Sequence, residues 1–449
     1  MPADAPSLSL EDVARFAAEP LERVRAWQAA GLLGDPATDS FEPADVETVR
    51  LIALLERRGV ARETIVARRD ELESSATRRA RRPREWIGTL AEAAARAGLD
   101  PALAERLWTA AGLVASDLLD ERDVDFLRDL ATVRAAGNPD DAVVEMVRVA
   151  GDTVRRATET MARVTYFHVI RPLRMSGLEG TALNDAIDRA TRPLTPLASQ
   201  LLNHLTDRVM NDAIRENVVL RFTGYIAEPG QLDVAIAFVD LCGFTPLAEA
   251  MGDRESAEVL GRFSTLVRDA VASHTGRIVK QLGDAFMLAF ADPRLAVGCA
   301  VEIERRAAAM ERFPALRSGI HCGLVLFREG DYVGTNVNIA ARVAAEAGRH
   351  QVLVTNEVRR AAGTVPGVQF TPVARRKLKG VGEEVELFAA APTEAAAGER
   401  AVDPVCGMEL GPAEPAARLA LGERTLVFCS TQCLQRYVAD PARYAGASS

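Results

Sequence analysis

Lysine is nearly missing from this 449-residue sequence: of 54 basic residues only Lys280, Lys377 and Lys379 are not arginine. Against that background each lysine needs a reason, and two of the three, Lys280 and Lys379, sit where the chemistry suits a compact ammonium. Cysteines number 6, too few in so long a chain for a disulfide scaffold. No run of about 18 or more apolar residues occurs, which argues against a membrane span. The opening stretch MPADAPSLSLED is acidic and lacks the basic and apolar regions of a leader, so a cytoplasmic protein is expected. Basic charge is also in deficit, 54 residues against 63 acidic ones for a net charge of −9, which argues against a nucleic-acid partner.

What is present changes along the chain. The first 200 residues are rich in Ala, Leu and Arg, with apolar residues at helical spacing. A repeat runs through them. Trp27-Gln28-Ala29-Ala30-Gly31-Leu32-Leu33 recurs as Trp108-Thr109-Ala110-Ala111-Gly112-Leu113-Val114, and the Asp45-Val46 helix that closes at Gly59 recurs as Asp123-Val124 closing at Gly137. The stretch VRAWQAAGLL with DVETVRLIALL resembles a MerR-type DNA reader. Residues 1–60 hold 11 acidic and 6 basic side chains, however, where DNA binding needs a basic stripe. The arginine cluster TRRARRPRE, Thr77–Glu85, reads as a solvated joint between the repeats. From Pro196 to about Phe222 the spacing predicts one long helix with Leu201, Leu205, Val209 and Ala213 on a stripe.

At Gln231 the pattern turns to strands. Val234–Val239 is a continuous apolar run, as in a strand buried on both faces. Thr245-Pro246 opens a helix with Thr as cap. Arg277–Leu282, a Gly283-Asp284 turn and Ala285–Phe290 read as a hairpin. A helix from Pro293 to Arg312 and a strand from Arg317 to Val325 complete a β-α-β-β-α-β order of the ferredoxin-like kind.

Asp240 ends the buried strand and Asp284 sits in the hairpin turn, where it could lie beside it. Carboxylates held side by side are costly unless cations neutralise them. Between them Gly243-Phe244-Thr245 opens a helix whose free backbone N–H groups could hold phosphate oxygens. Paired aspartates with a phosphate cradle point to two divalent metals on a nucleoside triphosphate.

Four motifs in this half, FVDLCGFT (238–245), VKQLGDAF (279–286), GDYVGTNVNIAAR (330–342) and RKLKGVGEEVELF (376–388), together resemble the class III adenylate and guanylate cyclases. The resemblance implies a homodimer with active sites between two copies and two Mg²⁺ or Mn²⁺ ions per site. It makes Asp240 and Asp284 metal ligands, with the Leu241 carbonyl as an extra one. Lys280 and Asp331 become the pair that reads the purine. Asn338 orients the ribose, Arg342 stabilises the transition state and Lys379 contacts the triphosphate tail. No side chain need serve as a general base, and the two metal aspartates come from one chain while Lys280, Asp331, Asn338 and Arg342 come from the other. Hydrogen-bond logic agrees on the base: adenine accepts at N1 and donates from its 6-amino group, so a lysine and an aspartate complement it, whereas guanine reverses both roles. ATP is the expected substrate. The alternatives are a guanylate cyclase and a non-catalytic nucleotide- or metal-sensing protein.

The tail holds DPVCGM and VFCSTQC, with 22 and then 3 residues between Cys406, Cys429 and Cys433. It resembles the YHS/TRASH metal-binding modules, which implies a small treble-clef-like fold. Three thiols, with Met408 as a further donor, suit Cu(I) or Zn²⁺. The helical N-terminal half resembles the regulatory domains of actinobacterial pH-responsive cyclases, with a small molecule or a proton as effector. His168 and His204 are the candidates for sensing pH. The expected organisation is therefore multidomain: an all-α regulatory region of two roughly 80-residue repeats at 1–195, a linker helix at 196–228, an α+β ferredoxin-like cyclase domain at 229–392, a linker at 393–402 and the cysteine module at 403–446. Cys242, Cys299 and Cys322 read as core residues, and His274, His321 and His350 as structural or surface ones.

Overall fold

A computed structural model describes residues 7–33, 37–69, 86–114, 119–223, 230–393, 400–422 and 424–444. The arginine cluster at 77–85 and most of the 393–402 linker lie outside them. The chain divides into two compact units, Met1–Tyr225 and Ile226–Ser449. Among the described residues no helix is long and apolar enough to cross a membrane.

The first unit is helical, and its two repeats share one element order. Helices Leu10–Ala17, Leu21–Ala29 and Pro43–Arg57 correspond to Leu90–Ala97, Pro101–Ala110 and Glu121–Ala135. Each set starts from a capping box: Ser9 with Asp12 in the first, Thr89 with Glu92 in the second. Each encloses its own apolar cluster around a buried tryptophan, Trp27 or Trp108. The indole N–H of Trp27 donates to Glu56 at 2.9 Å, and that of Trp108 to the Val114 carbonyl at 3.0 Å. Beyond the repeats, helices Asp140–Thr165, Gly180–Thr191 and Leu194–Thr223 follow. The last exposes a long apolar stripe: Leu201 and Leu205 are each 50% exposed and Val209 66%.

In the second unit, elements are numbered from Gln231. Strands β1 (Gln231–Leu241), β2 (Arg277–Leu282), β3 (Ala285–Phe290), β5 (Leu316–Arg328), β6 (Asp331–Val333), β7 (Gln351–Thr355), β8 (Val368–Lys377) and β9 (Glu384–Pro392) form one eight-stranded sheet. Its order is β8-β9-β7-β5-β1-β3-β2, with β6 paired to β5. The short β4 (Phe313–Pro314) belongs to the tail's sheet described below. Helices are α1 (Phe244–Met251), α2 (Asp253–Ser273), α3 (Pro293–Ala308), α4 (Thr335–Glu346) and α5 (Asn356–Ala362).

Alternation along β1 sends Ala235, Ala237, Val239 and Leu241 into a cluster with α2 and α3, and Val234 and Ile236 into one with Val337 and Ala340 of α4. Burial on both faces explains the unbroken apolar run. The α4 helix lies very close to the sheet because position 319 has no side chain; a Cβ there would stand 2.0 Å from the Ala344 nitrogen.

One local expectation fails. Thr245 is not the cap of α1, which begins at Phe244 and is preceded by Gly243 at φ 70° with no side-chain cap. The strand-to-helix turn needs a left-handed residue there, and glycine adopts it without strain.

The tail folds onto this unit. Strands β10 (Ala401–Val402) and β11 (Met408–Leu410) join β4 in a three-stranded sheet. A hairpin of β12 (Ala417–Leu421) and β13 (Arg424–Phe428) leads to helix α6 (Thr431–Ala439). Cys406, Met408, Phe428, Cys429 and Cys433 lie in the same apolar cluster as Phe263 and Phe313.

Candidate active site

Asp240, next to last in β1, lies directly opposite Arg317 on β5. One of its carboxylate oxygens accepts from Arg317 Nε at 2.8 Å and also from Nη2. The following Leu241 N–H donates to the Asp284 carbonyl at 3.2 Å, which ties the strand end to the hairpin turn. Asp240 titrates above the usual aspartate range: burial raises it most, Asp284 adds to this, and Arg317 opposes it. The Asp284 charge is thus felt at Asp240, whose own carboxylate is offset by the Arg317 guanidinium. Hard oxygen donors in this arrangement fit Mg²⁺ or Mn²⁺.

Phe244 and Thr245 form the first turn of α1, so their backbone N–H groups belong to the set that an α-helix leaves unpaired. Sheet alternation puts Lys280 and Asp240 on the same face, since Lys280 pairs with Met287 and Met287 with Phe238. Lys280 forms an ion pair with Asp331 at the start of β6, and the second Asp331 oxygen accepts from the Tyr332 N–H at 2.8 Å. Asn338 and Arg342 stand four residues apart on α4. Arg342 reaches the turn after β8: a Cβ on Gly380 would come within 3.3 Å of its guanidinium, and the exposed Lys379 is the residue just before it. The structure thus ties the Asp284 turn to the end of β1 just before α1, pairs Lys280 with Asp331, and brings Arg342 of α4 to the turn at Gly380. Arg317 was not singled out from the sequence, where it looks like any arginine opening a strand.

The profile of the adenylate and guanylate cyclase catalytic domain matches residues 227–390. A pH-sensitive adenylate cyclase of Mycobacterium tuberculosis is 32% identical over 301 residues, covering 65% of this chain and 75% of that one. The chain belongs to the adenylate and guanylate cyclase family. An adenylate cyclase of Streptomyces coelicolor is 32% identical over 274 residues, 59% of this chain and 68% of that one. Among solved structures, the adenylyl cyclase CyaB of P. aeruginosa is 20% identical with a TM-score of 0.33, covering 37% of this chain and 98% of that one.

Beyond the residues matched by the cyclase profile, the tail builds a second cluster. Cys406 and Cys429 sulfurs stand 3.5 Å apart and those of Cys429 and Cys433 3.7 Å apart. Asp403 joins them, with one candidate ligand atom from each of the four residues lying within 4.8 Å of the others. The carboxylate is already engaged, accepting from the backbone of Val405 and of Cys429, each at 2.8 Å, and from Cys406. That makes it the organiser of the loop around three thiols, whose spacing suits a soft cation. Met408 is buried in β11.

His350, expected to be structural or surface, joins the tail to the cyclase domain. Its Nδ1 meets Glu304 of α3 and its Nε2 meets Glu409 of β11 at 2.5 Å. These hydrogen bonds, Glu304 first and Glu409 second, hold its pKa at about 9 against the opposing effect of burial. Arg349 adds a 2.9 Å bond to Glu409. His321 is a core residue between Thr355 and Asn336. His168 and His204 both lie exposed on helices of the first unit.

Proposed function

We propose that this chain is an adenylate cyclase that converts ATP to 3′,5′-cyclic AMP and pyrophosphate at sites shared across a homodimer. The observation that carries the reading is the ion pair between Lys280 and Asp331, a donor and an acceptor set edge-on for adenine, on the sheet face that also bears Asp240. Lys280 donates to N1 and Asp331 accepts from the 6-amino group, so the base is chosen by hydrogen-bond polarity. Asn338 orients the ribose so that its 3′-oxygen lies in line with the α-phosphorus. As that oxygen bonds to phosphorus and the bond to pyrophosphate breaks, the Arg342 fork takes up the charge spreading over the phosphoryl oxygens. The first turn of α1 at Phe244 and Thr245 offers N–H groups to the phosphates, and Lys379 draws the triphosphate tail.

Asp240, Asp284 and the Leu241 carbonyl would hold two Mg²⁺ or Mn²⁺ ions, which lower the pKa of the 3′-hydroxyl and neutralise phosphate charge. Arg317 is bonded to Asp240, and a cation held by that carboxylate would compete with the guanidinium for it. Membership of the cyclase family supports division of each site between two copies, and the exposed stripe on Leu194–Thr223 supports a second copy as partner. The C-terminal cysteines would hold Cu(I) or Zn²⁺ in a YHS/TRASH-like module. The N-terminal region would regulate activity, with a proton as effector acting through His168 and His204; unchanged pH dependence in a His168→Ala/His204→Ala chain refutes that role.

The test is product identification with purified chain, Mn²⁺ and either ATP or GTP. Asp240→Ala and Asn338→Ala chains should each be inactive, and mixing them should restore activity through one intact site per mixed dimer. A cyclic GMP product defeats the substrate assignment, and absence of recovery on mixing defeats the shared site.

A further inference from the structure

We infer that the tail cysteine cluster is an effector site for a thiophilic cation, and that its occupancy is passed to the phosphate-facing helix α1 through Arg436. This rests on the reading that the cluster binds metal, and goes beyond it by assigning the metal a target. Cys406, Cys429 and Cys433 are 1%, 2% and 1% exposed, so a cation there is closed off from nucleotide. Closed cysteine sites organise backbone rather than perform chemistry.

The backbone organised here adjoins the active site. Cys433 lies in the first turn of α6, its N–H held by the Ser430 cap at 3.1 Å. One turn further along, Arg436 donates to the Glu249 carbonyl in the last turn of α1 at 2.8 Å. Cation and carbonyl are thus joined through a single short helix. At the other end of α1, Gly243 follows Asp240, Leu241 and Cys242 directly. A cavity of about 1060 Å³ is lined both by Gly243, Pro246 and Ala250 and by Asp403, Val405 and Cys406 of the cysteine loop. Space on that side leaves α1 room to shift, while Arg436 grips its C-terminal turn. The sulfurs already stand at the spacing of a tetrahedral thiolate site, so a cation that binds the three thiolates and releases their protons pins α6 at Cys433 rather than displacing it. Arg436 then restrains α1, and with it the N–H groups of Phe244 and Thr245.

The experiment uses the full chain, reduced and stripped of metal, then given one equivalent of Zn²⁺ or of Cu(I). Three quantities are read: metal per chain, amide hydrogen exchange across residues 243–251, and KM and kcat for ATP with saturating Mn²⁺. The expected result is one metal per chain, slower exchange across α1, and a KM altered by at least about fivefold, the low end of ordinary site-to-site coupling. Cys429→Ser should lose all three responses. Arg436→Ala should keep the metal but lose the exchange and KM responses. Metal bound without any change in α1 overturns the coupling and leaves the cage standing, and failure of either cation to bind overturns both. Responses that persist in Arg436→Ala overturn the proposed route. None of these outcomes touches the cyclase assignment, which is read from the product alone.

Discussion

Lys280 of β2 and Asp331 of β6 are ion-paired across strands that are not sheet neighbours, and both side chains remain about one-third exposed. A pair kept for stability alone would contribute little at that exposure. On the reading proposed above, its value lies in presenting an ammonium donor and a carboxylate acceptor together to one purine edge.

Replacing Lys280 by Met removes the donor and leaves Asp331 facing adenine without its partner. The expected loss in kcat/KM for ATP is roughly 10²-fold, with the ratio of ATP to GTP turnover falling by a similar factor. Parallel steady-state measurements with both nucleotides check this. If selectivity survives while activity falls, the base is read elsewhere.

Gly319 sets the height of α4 above the sheet. Because a Cβ there would overlap the Ala344 backbone, Gly319→Ala must lift the helix that carries Asn338 and Arg342. Overpacking of this kind costs about 1–3 kcal/mol, seen as a lower melting temperature. Misplacing the reacting groups by about 1 Å can cost on the order of 10²-fold in kcat. Asp240 and Asp284 lie on β1 and the β2–β3 turn, so Mn²⁺ affinity measured by titration should stay unchanged. Loss of Mn²⁺ binding as well would mean that the substitution disturbs the whole sheet.

Much of the catalytic unit is readable from local pattern. The unbroken run Val234–Val239, the Gly283-Asp284 turn and the four-residue spacing of Asn338 and Arg342 each announce their element, because sheet burial, turn chemistry and helix pitch act over a few residues. The cap of α1 was misread because a left-handed glycine and a threonine two residues later both suit a helix start, and only backbone geometry decides between them. Arg317, Asp403 and the clamp on His350 were illegible for another reason. Arg317 meets Asp240 from 77 positions away, and His350 meets Glu409 from 59. Nothing in the flanking residues marks either partner. The docking of the tail onto β4 is equally non-local.

His350 should make tail docking dependent on pH. Its charged form is held between Glu304 of α3 and Glu409 of β11, with Arg349 also on Glu409. The folded-state pKa of about 9 stands above the ordinary value of 6.5, so the imidazolium contributes fully below about 6.5 and the contribution fades as pH rises toward 9. The tail should become more protease-sensitive over that interval. His350→Gln should dock more weakly at pH 6 and lose most of the pH response. A wild-type cleavage rate that is flat from pH 6.5 to 9 would remove His350 from any docking role.

The apolar stripe on Leu194–Thr223 carries the remaining prediction. Leu201, Leu205 and Val209 are half-exposed or more, at successive intervals of four, the pattern of a helix that packs against another along one seam. Changing all three to Ser removes little from the fold of a single chain, since little is buried there. In a homodimer the same change strips apolar area from both copies, and at about 25 cal/mol per Å² even partial burial amounts to roughly 2–4 kcal/mol. The dimer dissociation constant should therefore rise by about 30- to 1000-fold, seen as a shift to monomer in sedimentation at micromolar concentration. Specific activity should fall on dilution in step with that shift if, as proposed, each site is divided between two copies. If the triple variant stays dimeric and active on dilution, the catalytic faces alone hold the copies together and the stripe has another occupant.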